Sequence, residues 1–104
     1  MTRAANAVRG ETEFRVAGEV ILLRPSFENL VAAEDEIGSL FALVERASEG
    51  RITLAEVTAL LWHCIDRSPR PSREAVGQAV TEQGLLAATK PVRAILAQVL
   101  QGQA

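Results

Sequence analysis

The sequence predicts an α+β fold, with an N-terminal β-hairpin followed by a bundle of four to five α-helices. Three observations predict it. Residues 10 to 24 alternate in a period of two around one glycine. From residue 26 onward, apolar residues recur at i, i+3, i+4 and i+7. Most of the helical stretches are introduced by Ser or Thr and closed by Gly, residues that supply the hydrogen bonds a helix end lacks.

In the hairpin, Phe14 and Val16 alternate with Glu13 and Arg15, and Ala17-Gly18-Glu19 offers a positive φ for the turn. The strands are expected over about 10 to 16 and 19 to 24. The second one, Val20-Ile21-Leu22-Leu23, is apolar on both faces and needs cover on each side, from its own chain or a partner. Pro25 stops it, because proline donates nothing to a ladder.

Ser26 caps a first helix from Phe27 to about Ile37, with Phe27, Leu30, Val31 and Ile37 on one face and Gly38 as its stop. Glu34 falls at the edge of that stripe, with its oxygens expected in water. Ser39 caps a short second helix whose wide face is Leu40, Phe41, Leu43, Val44 and Ala47. Thr53 and Glu56 have the spacing of a capping box. They open a third helix over about 54 to 67, with a core stripe of Leu54, Val57, Leu60, Leu61, Cys64 and Ile65. Ser68-Pro69-Arg70-Pro71 is a stiff loop. Ser72 caps a fourth helix through about Glu82. Residues 85 to 88 form a helical turn or short fifth helix, Lys90-Pro91 breaks it, and Pro91 starts the last helix. That helix carries an unbroken stripe of Val92, Ile95, Leu96, Val99 and Leu100.

Composition narrows the function. The chain has 104 residues, 48% of them hydrophobic and 23% charged, the balance of one soluble domain. Residues 1 to 8 are expected to be a disordered end and 9 to 104 a single domain. The longest apolar run, Leu40 to Val44, is far short of the roughly 20 residues a membrane span requires. The net charge is -2, and the four aromatics include no Tyr. That is the opposite of the basic, stacking-rich footprint of a nucleic-acid binder. One cysteine makes no internal disulfide, and the N-terminus has no apolar signal core, so a cytoplasmic location is expected.

No catalytic, cofactor or metal site is expected. His63 and Cys64 are helix neighbours about 100° apart and do not face one another. There is no second His or Cys for the common zinc sets. Glu34-Asp35-Glu36 splays around its helix as a solvated face. The glycines stand alone at turns and helix ends, with no phosphate loop among them.

What remains is surface for protein partners. Ile21 and Leu23 on the two-sided strand, Trp62 beside the core stripe, and Val92, Ile95, Leu96, Val99 and Leu100 on the last helix are the candidate partner-binding residues. A striped helix docks in a groove, and Trp is enriched at interface anchors.

Arg9-Gly10-Glu11 at the start of the hairpin and Leu23-Arg24-Pro25-Ser26-Phe27-Glu28-Asn29-Leu30 at its end occur in order with Glu74-Ala75-Val76-Gly77, Gly84-Leu85 and Ile95-Leu96-Ala97-Gln98-Val99-Leu100. In these segments, over about residues 9 to 102, the chain resembles the gene transfer agent family of small phage-like proteins. Members of that family resemble phage tail assembly chaperones. The resemblance implies a non-enzymatic role. Such a chaperone binds and solubilises the tape measure protein and helps tail tube subunits polymerise around it. The implied partners are thus the tape measure protein, the major tail tube protein and further copies of the chain. The alternative is a structural tail or head-tail component retained in the particle.

Overall fold

A computed structural model describes residues 11 to 102. The expectation for residues 1 to 8 lies outside them. Two strands, β1 (Thr12–Val16) and β2 (Glu19–Leu23), are followed by five helices. These are α1 (Phe27–Ile37), α2 (Leu40–Ser48), α3 (Leu54–Cys64), α4 (Arg73–Gln83) and α5 (Leu85–Gln101). The architecture is α+β, as expected.

The hairpin is antiparallel, with Phe14 opposite Ile21 and Val16 opposite Glu19. Its turn is only Ala17 and Gly18, at φ 51° and 82°. Two consecutive positive φ values give a turn whose twist matches that of the strands. The outer edge of β2 does not run free. Leu23 bridges Ile65, Arg24 N–H donates to the Cys64 carbonyl at 2.6 Å, and Asp66 N–H donates to the Leu22 carbonyl at 2.9 Å. This explains why α3 ends at Cys64 and not near residue 67. Ile65 turns extended, at φ -61° and ψ 122°, to pair with the strand.

The four predicted caps are in place. Ser26, Ser39 and Ser72 accept from the backbone N–H three residues on. Thr53 and Glu56 form the reciprocal capping box. Each such cap contributes about 1 kcal/mol.

The last helix differs from expectation. Residues 85 to 101 form one continuous helix with Pro91 inside it. Proline there removes the hydrogen bond to the Ala87 carbonyl and crowds it, at a cost of about 3 kcal/mol. The helix continues because Ala88, Val92, Ile95 and Leu96, on either side of the proline, share one buried stripe. Splitting the helix would misalign that stripe. Gly84 serves as C-cap of α4 and N-cap of α5, and its φ of 87° makes the corner.

A single cluster of buried side chains runs from Phe14, Val16, Ile21 and Leu23 of the hairpin through Leu60, Leu61 and Cys64 of α3 to Val76, Val80 and Ile95. β2 is therefore covered by its own chain on both faces along Ile21, Leu22 and Leu23. Several residues assigned to core stripes are outside: Phe27 is 82% and Phe41 62% exposed, and Leu54 and Val31 are also exposed. Phe27 and Leu54 are first residues of their helices, where no preceding turn shields them. Ala33 and Leu30 carry the packing of α1 instead.

Ala17 is an alanine in a left-handed conformation that costs an L-residue about 1 kcal/mol or more. Ala17→Asn supplies the residue this turn favours, and is expected to raise stability by about 0.5 to 1 kcal/mol in urea denaturation. Ile95→Asp combined with Leu96→Asp is expected to abolish the cooperative thermal transition, because both side chains lie in the core. A cooperative melt in that double variant would make the end of α5 an arm.

Candidate interaction surfaces

The eight candidate partner-binding residues divide sharply. Ile21, Leu23, Val92, Ile95 and Leu96 are buried, Ile95 completely so. They hold the hairpin and α5 to the rest of the molecule, and they present nothing to a partner while the chain is folded. Val99 and Trp62 are half-buried against the core, and Leu100 is exposed. The strongest apolar stripe in the sequence thus belongs to the interior. Its length reflects contact with β1, α2, α3 and α4 at once.

Trp62 is held by its own chain. Its Nε1–H donates to the Pro71 carbonyl at 2.9 Å. The Arg73 and Arg70 guanidiniums lie 4.5 and 4.9 Å from the ring centroid, and the His63 ring meets it edge-on at 5.0 Å. Arg73 then grips Glu36 through both terminal nitrogens, at 2.7 and 2.9 Å. His63 Nε2 is 2.8 Å from the same carboxylate. Arg70 donates to the His63 carbonyl and to Asn29 Oδ1. One carboxylate on α1 thereby links α3 and α4. Glu36 was expected in a solvated face. It sits one turn beyond Ala33, on the side of α1 that meets α3 and α4, a position periodicity alone does not single out.

These contacts set the charge states. The Arg73 hydrogen bonds, then that of His63, hold the Glu36 carboxyl down at about 2. Arg46, then the Thr53 backbone N–H, does the same for Glu56, also at about 2. Arg46 reaches Glu56 from α2 with both terminal nitrogens, so the α3 capping box doubles as a tie between helices. Glu34 has its own role. Its Oε2 accepts from the Leu40 N–H at 3.0 Å, so it caps the start of α2. Burial pushes the Cys64 thiol up to about 12, which leaves it a packing residue without nucleophilic character.

The described surface has concave regions. A groove of about 630 Å³ runs between α3 and α4. It is lined by Leu54, Ala55 and Thr58 on one side and Gly77, Gln78 and Thr81 on the other. A second of about 780 Å³ is lined by Arg24, Arg67 and Arg70 among others. Its positive charge is largely answered: Arg24 faces Glu11 at 3.8 Å and Arg67 faces Glu19 at 3.1 Å. Among the described residues no group of three or more His, Cys, Asp or Glu is placed to hold a metal ion, and no helix is long and apolar enough to cross a membrane.

Apart from Leu100, already among the candidates, the exposed apolar side chains are surface features that sequence periodicity does not single out. Leu86 is 90% exposed. With Phe27, Phe41, Leu54, Leu85 and Leu100, it places most of this apolar area on the outer faces of helices, and Val20 of β2, 42% exposed, adds some on the sheet. The edges of the sheet are partly used. Arg15 of β1 accepts at its carbonyl from Gln83 at 2.6 Å, and β2 is bridged by Ile65.

Because Glu36 is lowered in the folded state, its contribution is present above its ordinary value of 4.5 and is lost as pH falls through about 2. Glu36→Gln is expected to be less stable than the parent at pH 7, with the difference shrinking between pH 4.5 and 2. Urea denaturation at pH 7, 4.5 and 2.5 checks this, and a pH-independent difference would mean that packing, not charge, is what the substitution disturbs.

Residues 9–102 match a family model described as phage tail tube protein, GTA-gp10. No curated protein and no solved structure matches the chain.

Proposed function

The chain belongs to the phage tail tube protein GTA-gp10 family, and on that footing we propose that it is a structural component of a phage-like tail, retained in the particle and acting through protein–protein contacts. The match over residues 9–102 carries this reading. It covers nearly all of the chain, so the family's role is a role for the whole hairpin-and-helix unit. The family is one of structural proteins, not of enzymes.

The same finding reorders the two readings of the sequence. A tail component is favoured over a tail assembly chaperone that leaves before the particle is finished. Contacts with neighbouring tail proteins, the major tail tube protein among them, follow from the retained role. Binding to the tape measure protein belongs to the chaperone reading.

The physical character of the surface supports a protein-binding role. Single large apolar residues stand on helix faces among charges, a pattern suited to contacts that are individually modest and specific. Assembly in the cytoplasm of a producing cell accords with the reduced, buried Cys64.

The test is quantitative mass spectrometry of purified particles alongside a deletion strain. The chain is expected in the particles at a fixed ratio to other tail proteins. Its absence from particles, combined with failure of tails to form in the deletion strain, would overturn retention and return the role to a chaperone.

A further inference from the structure

The outer face of α5 combines apolar and cationic side chains in one stripe. Leu86, Lys90, Arg93, Ala97 and Leu100 recur at i, i+4, i+7, i+11 and i+14, which is helical spacing, and all five are exposed. Leu86 is 90% and Leu100 51% exposed. The stripe thus has a leucine at each end, two cations near its middle, and the small Ala97 between Arg93 and Leu100. Over its 17 residues the helix holds two basic residues and no acidic one, in a chain whose net charge is -2.

Nothing in the surrounding fold accounts for this face. Lys90 and Arg93 have no hydrogen-bond or ion-pair partner among the described residues. They lie one helical turn apart, where like charges repel and weaken their own helix. The other side of α5, with Ala88, Val92, Ile95 and Leu96 buried, makes the contacts with β1, α2, α3 and α4. The stripe is turned away from all of them. Its two leucines stabilise nothing within the chain, and an apolar and cationic stripe of this kind suits a helix that docks on a partner.

The stripe specifies its occupant. The α5 backbone is satisfied within its own helix, so it offers an extended segment no ladder to join, whereas a partner helix brings its hydrogen bonds with it. From Leu86 to Leu100 is about 21 Å at 1.5 Å per residue, so a helix that covers both leucines has about four turns. Opposite Lys90 and Arg93 it carries Asp or Glu near its middle. Apolar side chains at its ends cover the leucines, and a large one fits over Ala97. The acidic helix of this chain is too short for that place. The exposed Phe27, Val31 and Asp35 of α1 span only about 12 Å, and cannot reach both leucines. The occupant is therefore a different protein.

We propose that the outer face of α5 is the docking site for an acidic amphipathic helix of another protein. This rests on the tail-component reading for where the contact is made, and it names the chemistry of the neighbour that such a component holds. Lys90 and Arg93 steer the approach and select against basic partners. Leu86 and Leu100, at the two ends, fix the register. One helix-on-helix contact buries less than the roughly 1,200 Å² of a standard stable complex, so the docking is reversible.

The experiment places the photo-crosslinking residue p-benzoylphenylalanine at Leu86 in one version of the full chain and at Ala97 in another, in particle-producing cells. The cross-linked peptides are mapped by mass spectrometry. Both positions are expected to label one segment of one other protein, at sites about 11 residues apart, the separation of Leu86 and Ala97 along α5, with acidic residues between or beside them. A synthetic peptide of that segment is then titrated into the purified chain, up to on the order of 100 μM, and followed by fluorescence anisotropy. Lys90→Glu with Arg93→Glu, checked by thermal melting, is expected to bind at least about tenfold more weakly. A peptide with its acids replaced by Lys is expected to restore binding to that variant. Glu28→Lys with Asp35→Lys, on α1, is expected to bind like the parent. Labelling of further copies of the chain, of a basic segment or of nothing, or a charge reversal without effect, would each overturn the proposal. Detection in particles tests the tail-component reading separately. A chain present in particles whose α5 labels nothing acidic defeats only the docking, and a chain that labels an acidic helix but is absent from particles defeats only the retention.

Discussion

Burial of α3 is the constraint on which the other elements depend. Val57, Ala59, Leu60, Leu61 and Cys64 are all buried in an eleven-residue helix, so it needs cover on nearly every side. α1, α4 and α5 pack on it, and the hairpin joins through the bridge from Leu23 to Ile65. Each fully buried Leu contributes about 1.5 to 3 kcal/mol of transfer free energy, which makes this helix the centre of the stability of the chain. The pairing at its C-terminal end fixes the orientation of the hairpin. A two-stranded sheet is marginal in water without such support.

The polar contacts follow from the same arrangement. Where the apolar girth of α3 reaches the surface, at Trp62, the exposed ring is covered by cations and not by another apolar element. Arg70 and Arg73 lie within 5 Å of the ring centroid, and their charged ends go on to Asn29 and Glu36. An aromatic face attracts a cation through its quadrupole, and a guanidinium can stack and still hold a carboxylate with both terminal nitrogens. One side chain thus closes the core and ties three helices together. Trp62 reads as an interface residue in the sequence because its partners lie 8 to 11 residues away, in a loop and a helix start that no local pattern links to it.

How much was legible follows the range of the interactions. The hairpin, the four side-chain caps and the stops at Gly38 and Gly84 depend on neighbours within four residues, and the sequence shows them directly. At Pro91 the local rule that proline breaks a helix is overruled by a buried stripe from Ala88 to Leu96 that spans it. Phe27 and Phe41 depart from their predicted core stripes for the opposite reason. Periodicity assigns a face, but a helix of nine or eleven residues covered on one side only leaves its flanking positions in water. Of the partner-binding candidates, Ile21, Leu23, Val92, Ile95 and Leu96 are buried, whereas Leu100 is exposed. In a chain this small the densest apolar stripes, such as Ile95 and Leu96, are the ones the core requires first.

The distribution of charge completes the picture. A chain with 13 acidic and 11 basic residues has enough of both signs to intersperse them on every helix, and an isolated soluble domain gains solubility from doing so. This chain does so on α2 and α4, where Arg46 and Glu45, and Arg73 and Glu74, sit side by side. It does not do so on α1 and α5, whose outer faces are of single and opposite sign. Segregated charge adds little to a monomer, because exposed charges are screened and weakly coupled to the fold. Between molecules the same segregation steers approach and fixes register, and it penalises the pairing of like faces. The hairpin and the α3 core hold these two outer faces in place on one molecule, and their charge is left for something outside the chain to answer.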